Sequence, residues 1–281
     1  MPKHRFLDVS QPRLMAILNV TPDSFADGGV LYRDSKLDLG LVVAKVEQMI
    51  ADGAEIIDIG GESTRPGAQP VSATEEFERV IPALEVIAKH FDIAISVDTS
   101  NPQIIAAAAS AGAHLINDVR ALSRPGAMAA AAKSGLSICL MHMQGQPDTM
   151  QQSPHYDDVV EEVKTYLQGR IDVCLQAGID EANLWVDPGF GFGKMLDHNL
   201  TLLRNLSTLT ALNRPLVVGI SRKSMIEKLL GRSLPDRLPG SLALNLIALQ
   251  RGASVLRVHD IAATHDIIKV FMACEGYLSA N

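Results

Sequence analysis

Ile56-Ile57-Asp58-Ile59-Gly60-Gly61-Glu62-Ser63-Thr64-Arg65 joins a short apolar run to a glycine-rich stretch full of groups able to do chemistry. The same step recurs along the chain. Upstream, Leu14-Met15-Ala16-Ile17-Leu18 runs into Asn19. Downstream, Ile93-Ala94-Ile95-Ser96-Val97 ends at Asp98, and Leu115-Ile116 ends at Asn117-Asp118. Ile138-Cys139-Leu140-Met141 ends at His142, and Leu184-Trp185-Val186 ends at Asp187. Leu216-Val217-Val218-Gly219-Ile220 ends at Ser221-Arg222-Lys223, and Val255-Leu256-Arg257-Val258 ends at His259-Asp260. Continuous apolar runs suit strands buried on both faces, as parallel strands are. Eight such strands can close into a (β/α)8 TIM barrel, where residues at the strand C-termini converge on one mouth.

The connecting segments agree. A glycine precedes five of the runs, at Gly53, Gly112, Gly135, Gly178 and Gly252. Glycine just past a helix end takes the left-handed cap conformation without a Cβ penalty. Leu39, Val42, Val46, Met49 and Ile50 share one face of the first helix. Val159, Val163, Tyr166, Leu167, Ile171 and Leu175 do so in the fifth. Asn101-Pro102 supplies a cap and a first-turn proline for the third. Alternating strand and helix implies a parallel α/β sheet, for which an open doubly wound sheet is the competing topology.

With 281 residues the chain fits one barrel domain, since such barrels typically need about 250. Residues 1–13 are expected to form a short N-terminal cap on the barrel floor. Gly231 to Gly240 reads as an excursion before a last helix around Ser241–Gln250, which lengthens the seventh connection. The three cysteines, Cys139, Cys174 and Cys274, sit within apolar patterns. An odd, buried count argues for a reducing compartment rather than a disulfide framework. No signal peptide is apparent, and no apolar run approaches the ~18 residues of a membrane span. A cytoplasmic protein without a membrane role is expected. A net charge of -7 disfavours a generic nucleic-acid surface.

Basic residues nevertheless gather at strand ends: Arg65, Arg222, Lys223, Arg257 and His259. Arg257 stands inside an apolar run, where an unpaired charge is costly. It either pairs with an acidic neighbour such as Asp58, or faces the mouth and forks onto an anion while its flat guanidinium stacks on a ring. Asp98, Asn117 and Asp187 each cap the following helix or bind a ligand. Together with Lys223 they suit a guanidine-like edge beside a carbonyl, because a carboxylate pairs with two N–H groups bidentately. Phe25 and Phe192 lie in polar, glycine-bounded loops and are either a ligand platform or buried loop anchors.

Over nearly its full length the chain resembles dihydropteroate synthase. The resemblance rests on Asn19-Val20-Thr21-Pro22-Asp23-Ser24-Phe25, Gly60 through Gly67, Ser96-Val97-Asp98-Thr99, Asn117-Asp118 and His142-Met143-Gln144-Gly145. It continues through Asp187-Pro188-Gly189-Phe190-Gly191-Phe192-Gly193-Lys194, Ser221-Arg222-Lys223 and Arg257-Val258-His259-Asp260, all in the family's order. Ala26 departs from the serine frequent there and puts no assigned role in doubt. The resemblance implies one pterin-binding barrel domain over 1–281, a homodimer, Mg²⁺, and competitive inhibition by sulfonamides. The implied reaction joins 6-hydroxymethyl-7,8-dihydropterin diphosphate to 4-aminobenzoate, giving 7,8-dihydropteroate and diphosphate for tetrahydrofolate synthesis.

By position, the resemblance gives the pterin to Asp98, Asn117, Asp187 and Lys223, with Arg257 stacking on it and Met141 in apolar contact. Asn19 would help coordinate Mg²⁺. Arg65, Arg257 and His259 would grip the diphosphate, and Thr64, Pro66, Phe25, Phe192 and Ser221 would frame the aminobenzoate. Asp98, Lys223, Arg257 and Arg65 are the expected catalytic residues. Three other readings stand beside this one. A methyltransferase domain using methyltetrahydrofolate would not need Ser63-Thr64-Arg65-Pro66. A non-catalytic relative would have lost Asn19, Arg65 or Lys223. A Schiff-base aldolase is the weakest, because Lys223 follows a Ser-Arg pair at a helix start and has no obvious apolar pocket to depress its pKa.

Overall fold

All eight expected strands form, and each is followed by a helix on the outside of the sheet. The computed structural model describes residues 7–22, 30–62, 71–145, 150 and 153–277. The strands are β1 (Arg13–Asn19), β2 (Ile56–Gly60), β3 (Ala94–Asp98) and β4 (Leu115–Asp118), then β5 (Ser137–Met141), β6 (Leu184–Asp187), β7 (Val217–Val218) and β8 (Val255–Val258). All neighbouring pairs are parallel, from β6 through β1 and β8 to β7. A parallel bridge between Val186 and Leu216, with Val186 N–H donating to Pro215 O at 3.0 Å, closes the ring. The open doubly wound alternative is thereby excluded. A two-stranded hairpin, Tyr32–Arg33 with Lys36–Leu37, lies in the first connection.

The helices are α1 (Leu39–Ala51), α2 (Ala73–His90), α3 (Pro102–Ala111), α4 (Ala127–Ser134), α5 (Val159–Gln176) and α6 (Leu196–Arg204), then α7 (Ser224–Leu230), α8 (Leu238–Gln250) and α9 (Ile261–Cys274). The five glycines before strands all have positive φ, from 61° to 102°. Asn101 caps α3 by accepting from Gln103 N–H at 2.9 Å. Val42, Val46 and Met49 bury one face of α1, while Leu39 at its start is exposed. Leu175, at the end of α5, is likewise exposed. Among the described residues no helix is long and apolar enough to cross a membrane.

Three expectations are corrected. The last helix is α9, not the one near Ser241. The helix there begins at Leu238 and carries Gly240 inside it, where a Cβ would come within 2.5 Å of the Ile226 side chain. Close packing of α8 on α7, rather than a turn, accounts for that glycine. Cys139 and Cys174 are buried, but Cys274 is exposed at the end of α9.

Strand alternation sorts the core into two parts. Outward residues such as Leu14, Ile57, Ile95, Ile116, Leu140 and Leu256 pack under the helices in one large cluster. Met15, Ile56, Ala94, Leu115, Cys139, Trp185, Val217 and Val255, one from each strand, form a second cluster inside the barrel. Leu7 and Val9 pack against it, so the described part of the N-terminal segment does cap the floor. The floor is filled by side chains, as a small barrel's interior must be.

Candidate active site

Because side chains alternate, the next inward residue on each strand lies two positions above the floor. That step gives Ile17, Asp58, Ser96, Asn117, Met141, Asp187, Gly219 and Arg257. A further step reaches Asn19, Gly60 and Asp98. The barrel interior thus changes from an apolar floor to a polar tier. Six of the expected site residues, Asn19, Asp98, Asn117, Met141, Asp187 and Arg257, share this inward parity.

The tier is organised around Arg257. Its Nε donates to Asp58 Oδ2 at 2.6 Å, and its Nη2 donates to Asp98 Oδ2 at 2.9 Å. Asn117 Nδ2 donates to Asp58 Oδ2 at 3.2 Å. The ion pair with Asp58 is therefore real, and Asp98 extends it into a triad. Asp58 is wholly buried, and its Oδ1, with Ser96 Oγ and Asn117 Oδ1, has no hydrogen-bond partner among the described residues. Buried polar atoms are nearly always paired, so three orphans on consecutive strands mark a surface that receives a polar ligand. Burial raises Asp98 to about 8, against the pull of Arg257 and with help from Asp58. Burial opposes the Arg257 charge too, but Asp58 and Asp98 outweigh it and raise its pKa.

Asp187 closes β6 and is buried. Its Oδ1 accepts from Gly189 N–H at 2.7 Å, so it steadies the following turn as well as facing the tier. Burial raises its pKa, while Lys223 and the Gly189 amide pull it back. Contrary to the expectation that nothing around Lys223 depresses its pKa, burial lowers it to about 8, with Asp187 opposing. Lys223 Nζ donates to Phe190 O at 2.5 Å and stands 4.6 Å from the Phe192 ring centroid. Within this loop Phe190 is wholly buried as an anchor, and Phe192 is half-buried under Lys223.

Lys223 follows a strained turn. Arg222 has φ of 57°, a left-handed value that costs a non-glycine residue about 1–2 kcal/mol. The turn is held from three sides: Arg222 N–H donates to Ser241 Oγ at 2.9 Å, Arg237 donates to its carbonyl at 2.9 Å, and its guanidinium forks onto Asp260. Arg222 is thus engaged with Asp260 rather than added to the basic lining of the mouth. On the other side of the turn, Ser221 Oγ accepts from the His259 backbone N–H at 3.2 Å and lies 3.2 Å from its Nδ1. That pair joins the ends of β7 and β8.

Neither Asp98 nor Asn117 caps a helix. Asp118 faces outward and holds the turn that follows β4: it accepts from Ser100 Oγ, and from Arg120 N–H and Leu122 N–H at 2.8 Å each. A Cβ placed on Gly60 would lie 3.7 Å from Asn19 Oδ1 and 4.0 Å from Asp98 Oδ2. Asn19 thus offers a hard oxygen donor at the mouth. No group of three His, Cys, Asp or Glu among the described residues could hold a metal. That donor set fits a magnesium ion held chiefly by substrate phosphate and water, which is how Mg²⁺ is usually bound. Phe25, Thr64, Arg65 and Pro66 lie outside the described residues. Sequence reading missed Ser96, and treated Asp58 only as a neighbour for Arg257. The only signal for either was a single polar residue interrupting an otherwise apolar run.

Residues 15–259 match the family of pterin binding enzymes. A dihydropteroate synthase of Escherichia coli K12 is 54% identical over 275 residues, covering 98% of this chain and 95% of its own. The Yersinia pestis dihydropteroate synthase, solved in complex with a sulfonamide drug, superposes with a TM-score of 0.92 at 49% identity, covering 96% of each chain. The Xanthomonas albilineans dihydropteroate synthase, solved with 4-aminobenzoic acid, gives a TM-score of 0.87 at 46% identity, covering 95% of this chain and 94% of that one. On the polar tier, the closed barrel and these matches, the chain belongs to the pterin-binding enzyme family, among its dihydropteroate synthases.

Proposed function

We propose that this chain condenses 6-hydroxymethyl-7,8-dihydropterin diphosphate with 4-aminobenzoate, and that the inward polar tier is where the pterin sits. The observation that carries the reading is the set of orphaned polar atoms, two of them acceptors and one a hydroxyl, beside the Arg257 triad. A pterin edge is rich in N–H donors, and buried carboxylates pair with such an edge strongly. Asp187 takes the guanidine-like edge, Lys223 donates to the carbonyl, and Asn117 and Asp98 serve the opposite ring. Met141 adds apolar contact and Arg257 lies against the ring plane.

The arylamine is neutral at pH 7, so no strong base is needed before attack. The demanding step is cleavage of the C–O bond at the pterin methylene. The electron pair leaves with diphosphate, and the resulting positive charge spreads into the pterin. Asp187 and the ionised form of Asp98 stabilise that charge through their fixed positions. Arg257, His259 and Arg65 bind the departing diphosphate. Asn19 would hold Mg²⁺ together with the diphosphate oxygens, and the ion's contribution would be neutralisation of leaving-group charge. The amine nitrogen then forms the C–N bond and loses a proton. This is an SN1-like course, in which the walls of the site exclude water from the cation.

Thr64, Pro66, Phe25, Phe192 and Ser221 are assigned to the amine side, where a sulfonamide would compete. Replacing Phe192 by leucine removes the ring under Lys223. A cation–π contact of this kind contributes about 0.5–1 kcal/mol, so KM for 4-aminobenzoate should rise about two- to fivefold. Steady-state kinetics would show that rise with pterin affinity nearly unchanged. We also read the chain as one domain, a homodimer and cytoplasmic, on the resemblance and on its cysteine usage.

The activity is tested with pterin diphosphate, labelled 4-aminobenzoate and Mg²⁺. Labelled dihydropteroate and diphosphate should appear in equal amounts. Diphosphate release without labelled product would overturn the assignment.

A further inference from the structure

We propose that Lys194 is a positioning residue that fixes the Asp187–Lys194 loop from below, so that one buried ammonium sets the geometry of both substrate sites. Lys194 is 2% exposed, although lysine is almost never buried without a partner. Its Nζ reaches three acceptors, one for each N–H. These are His142 Nδ1 at 2.8 Å, Gly189 O at 3.0 Å and Phe192 O at 3.1 Å. Each acceptor has a consequence. Gly189 is the residue whose N–H holds the Asp187 carboxylate, at 2.7 Å. Phe192 carries the ring under Lys223. His142 follows β5, and its N–H donates to Asp187 O at 2.9 Å.

Burial, and then Lys194 itself, lowers His142 to about 2, so the ring is neutral. Nδ1 accepts from the ammonium, which places the ring proton on Nε2. Burial lowers Lys194 to about 7, with Asp187 opposing and Lys223 adding to the fall. The loop leaves little slack elsewhere. A Cβ on Gly189, which has φ of 69°, would lie 1.9 Å from His142 O. Gly191 N–H donates to Asn199 Oδ1 at 2.8 Å, and Tyr156 Oη donates to Gly193 O at 2.7 Å. Lys223 holds Phe190 O of the same loop. The loop is therefore clamped between two lysines. Lys223 faces the substrates, and Lys194 connects the Asp187 turn to the Phe192 peptide.

The inference rests on the proposed reaction, and the test separates the two. Lys194→Met keeps the side chain as far as the Cε position and removes all three donors. Small displacements of positioned groups have large kinetic effects, so KM for both substrates should rise about tenfold, and kcat should fall as well because Asp187 loses its fixed position. Hydrogen exchange of the 189–194 amides should accelerate by a similar factor. His142→Leu should reproduce the effect, and His142→Asn should recover most of it, because Asn Oδ1 stands where Nδ1 accepts. The histidine pair carries the comparison should Lys194→Met fail to fold. A folded Lys194→Met with unchanged KM for both substrates, even with a lowered melting temperature, would overturn the positioning role. The condensation would then still stand, because the unsubstituted protein makes dihydropteroate in the same experiment. Absence of product from that protein would instead sink the reaction itself.

Discussion

Replacing Arg257 by methionine is expected to give the largest combined loss of activity and stability of any single change in the barrel. The substitution leaves Asp58, wholly buried, and Asp98 without their shared cation. Breaking a buried ion pair from one side costs about 3–5 kcal/mol, because the remaining charge is uncompensated. The cost should depend on pH in a definite direction. Burial already raises Asp98 to about 8, and loss of Arg257 removes the main influence lowering it. A carboxyl whose folded pKa lies above its unfolded value binds more protons in the native state. Stability then falls as pH rises from the unfolded pKa, about 4, toward the folded one. Both proteins lose stability over that range and diverge only where Asp98 ionises beside Arg257, so Arg257→Met should melt closer to the unsubstituted protein at about pH 5 than at about pH 9. Adding Asp58→Asn should restore part of the stability and none of the activity. For activity, loss of the cation proposed to bind the leaving group should lower kcat/KM by about a hundred- to a thousandfold. A variant whose melting temperature shows the same deficit at both pH values would contradict the triad.

Legibility in the sequence followed the physics of each position. Asn19, Asp98 and Asp187 could be recognised because each ends an apolar run, and a polar residue there breaks the pattern visibly. Asp58 and Ser96 sit inside their runs. Their neighbours on both sides are apolar, because the helices bury the outer face and the floor tier buries the inner one. Two-residue alternation is hidden when both faces are buried. The Asp98 branch of the Arg257 triad joins positions 159 residues apart, and the Lys194–His142 pair spans 52, so no local spacing announces either. Arg222 looked like a member of the basic mouth because it follows a strand. Its left-handed φ and its fork onto Asp260 depend on how α8 packs, which no short motif encodes. The start of α8 was misplaced for a related reason. Gly240 was read as a boundary, whereas it permits close approach of α7.

The same alternation makes the central claim testable at one residue. Asp187 lies on the inward face above Trp185, is buried, and keeps its Oδ1 on the Gly189 amide. Asp187→Asn preserves shape, retains an acceptor for Gly189, and replaces a charged acceptor with a donor toward the ligand. A donor facing an N–H is both an unmade charged hydrogen bond and a repulsion. Pterin affinity should fall by about 2–4 kcal/mol, which is roughly thirty- to a thousandfold. Calorimetric titration of a pterin that lacks the diphosphate isolates this tier from Mg²⁺ and from the leaving-group contacts. The account predicts measurable binding to the unsubstituted protein and a loss of that size in a folded Asp187→Asn variant; equal affinity for the two proteins would remove the inward polar tier as the pterin site.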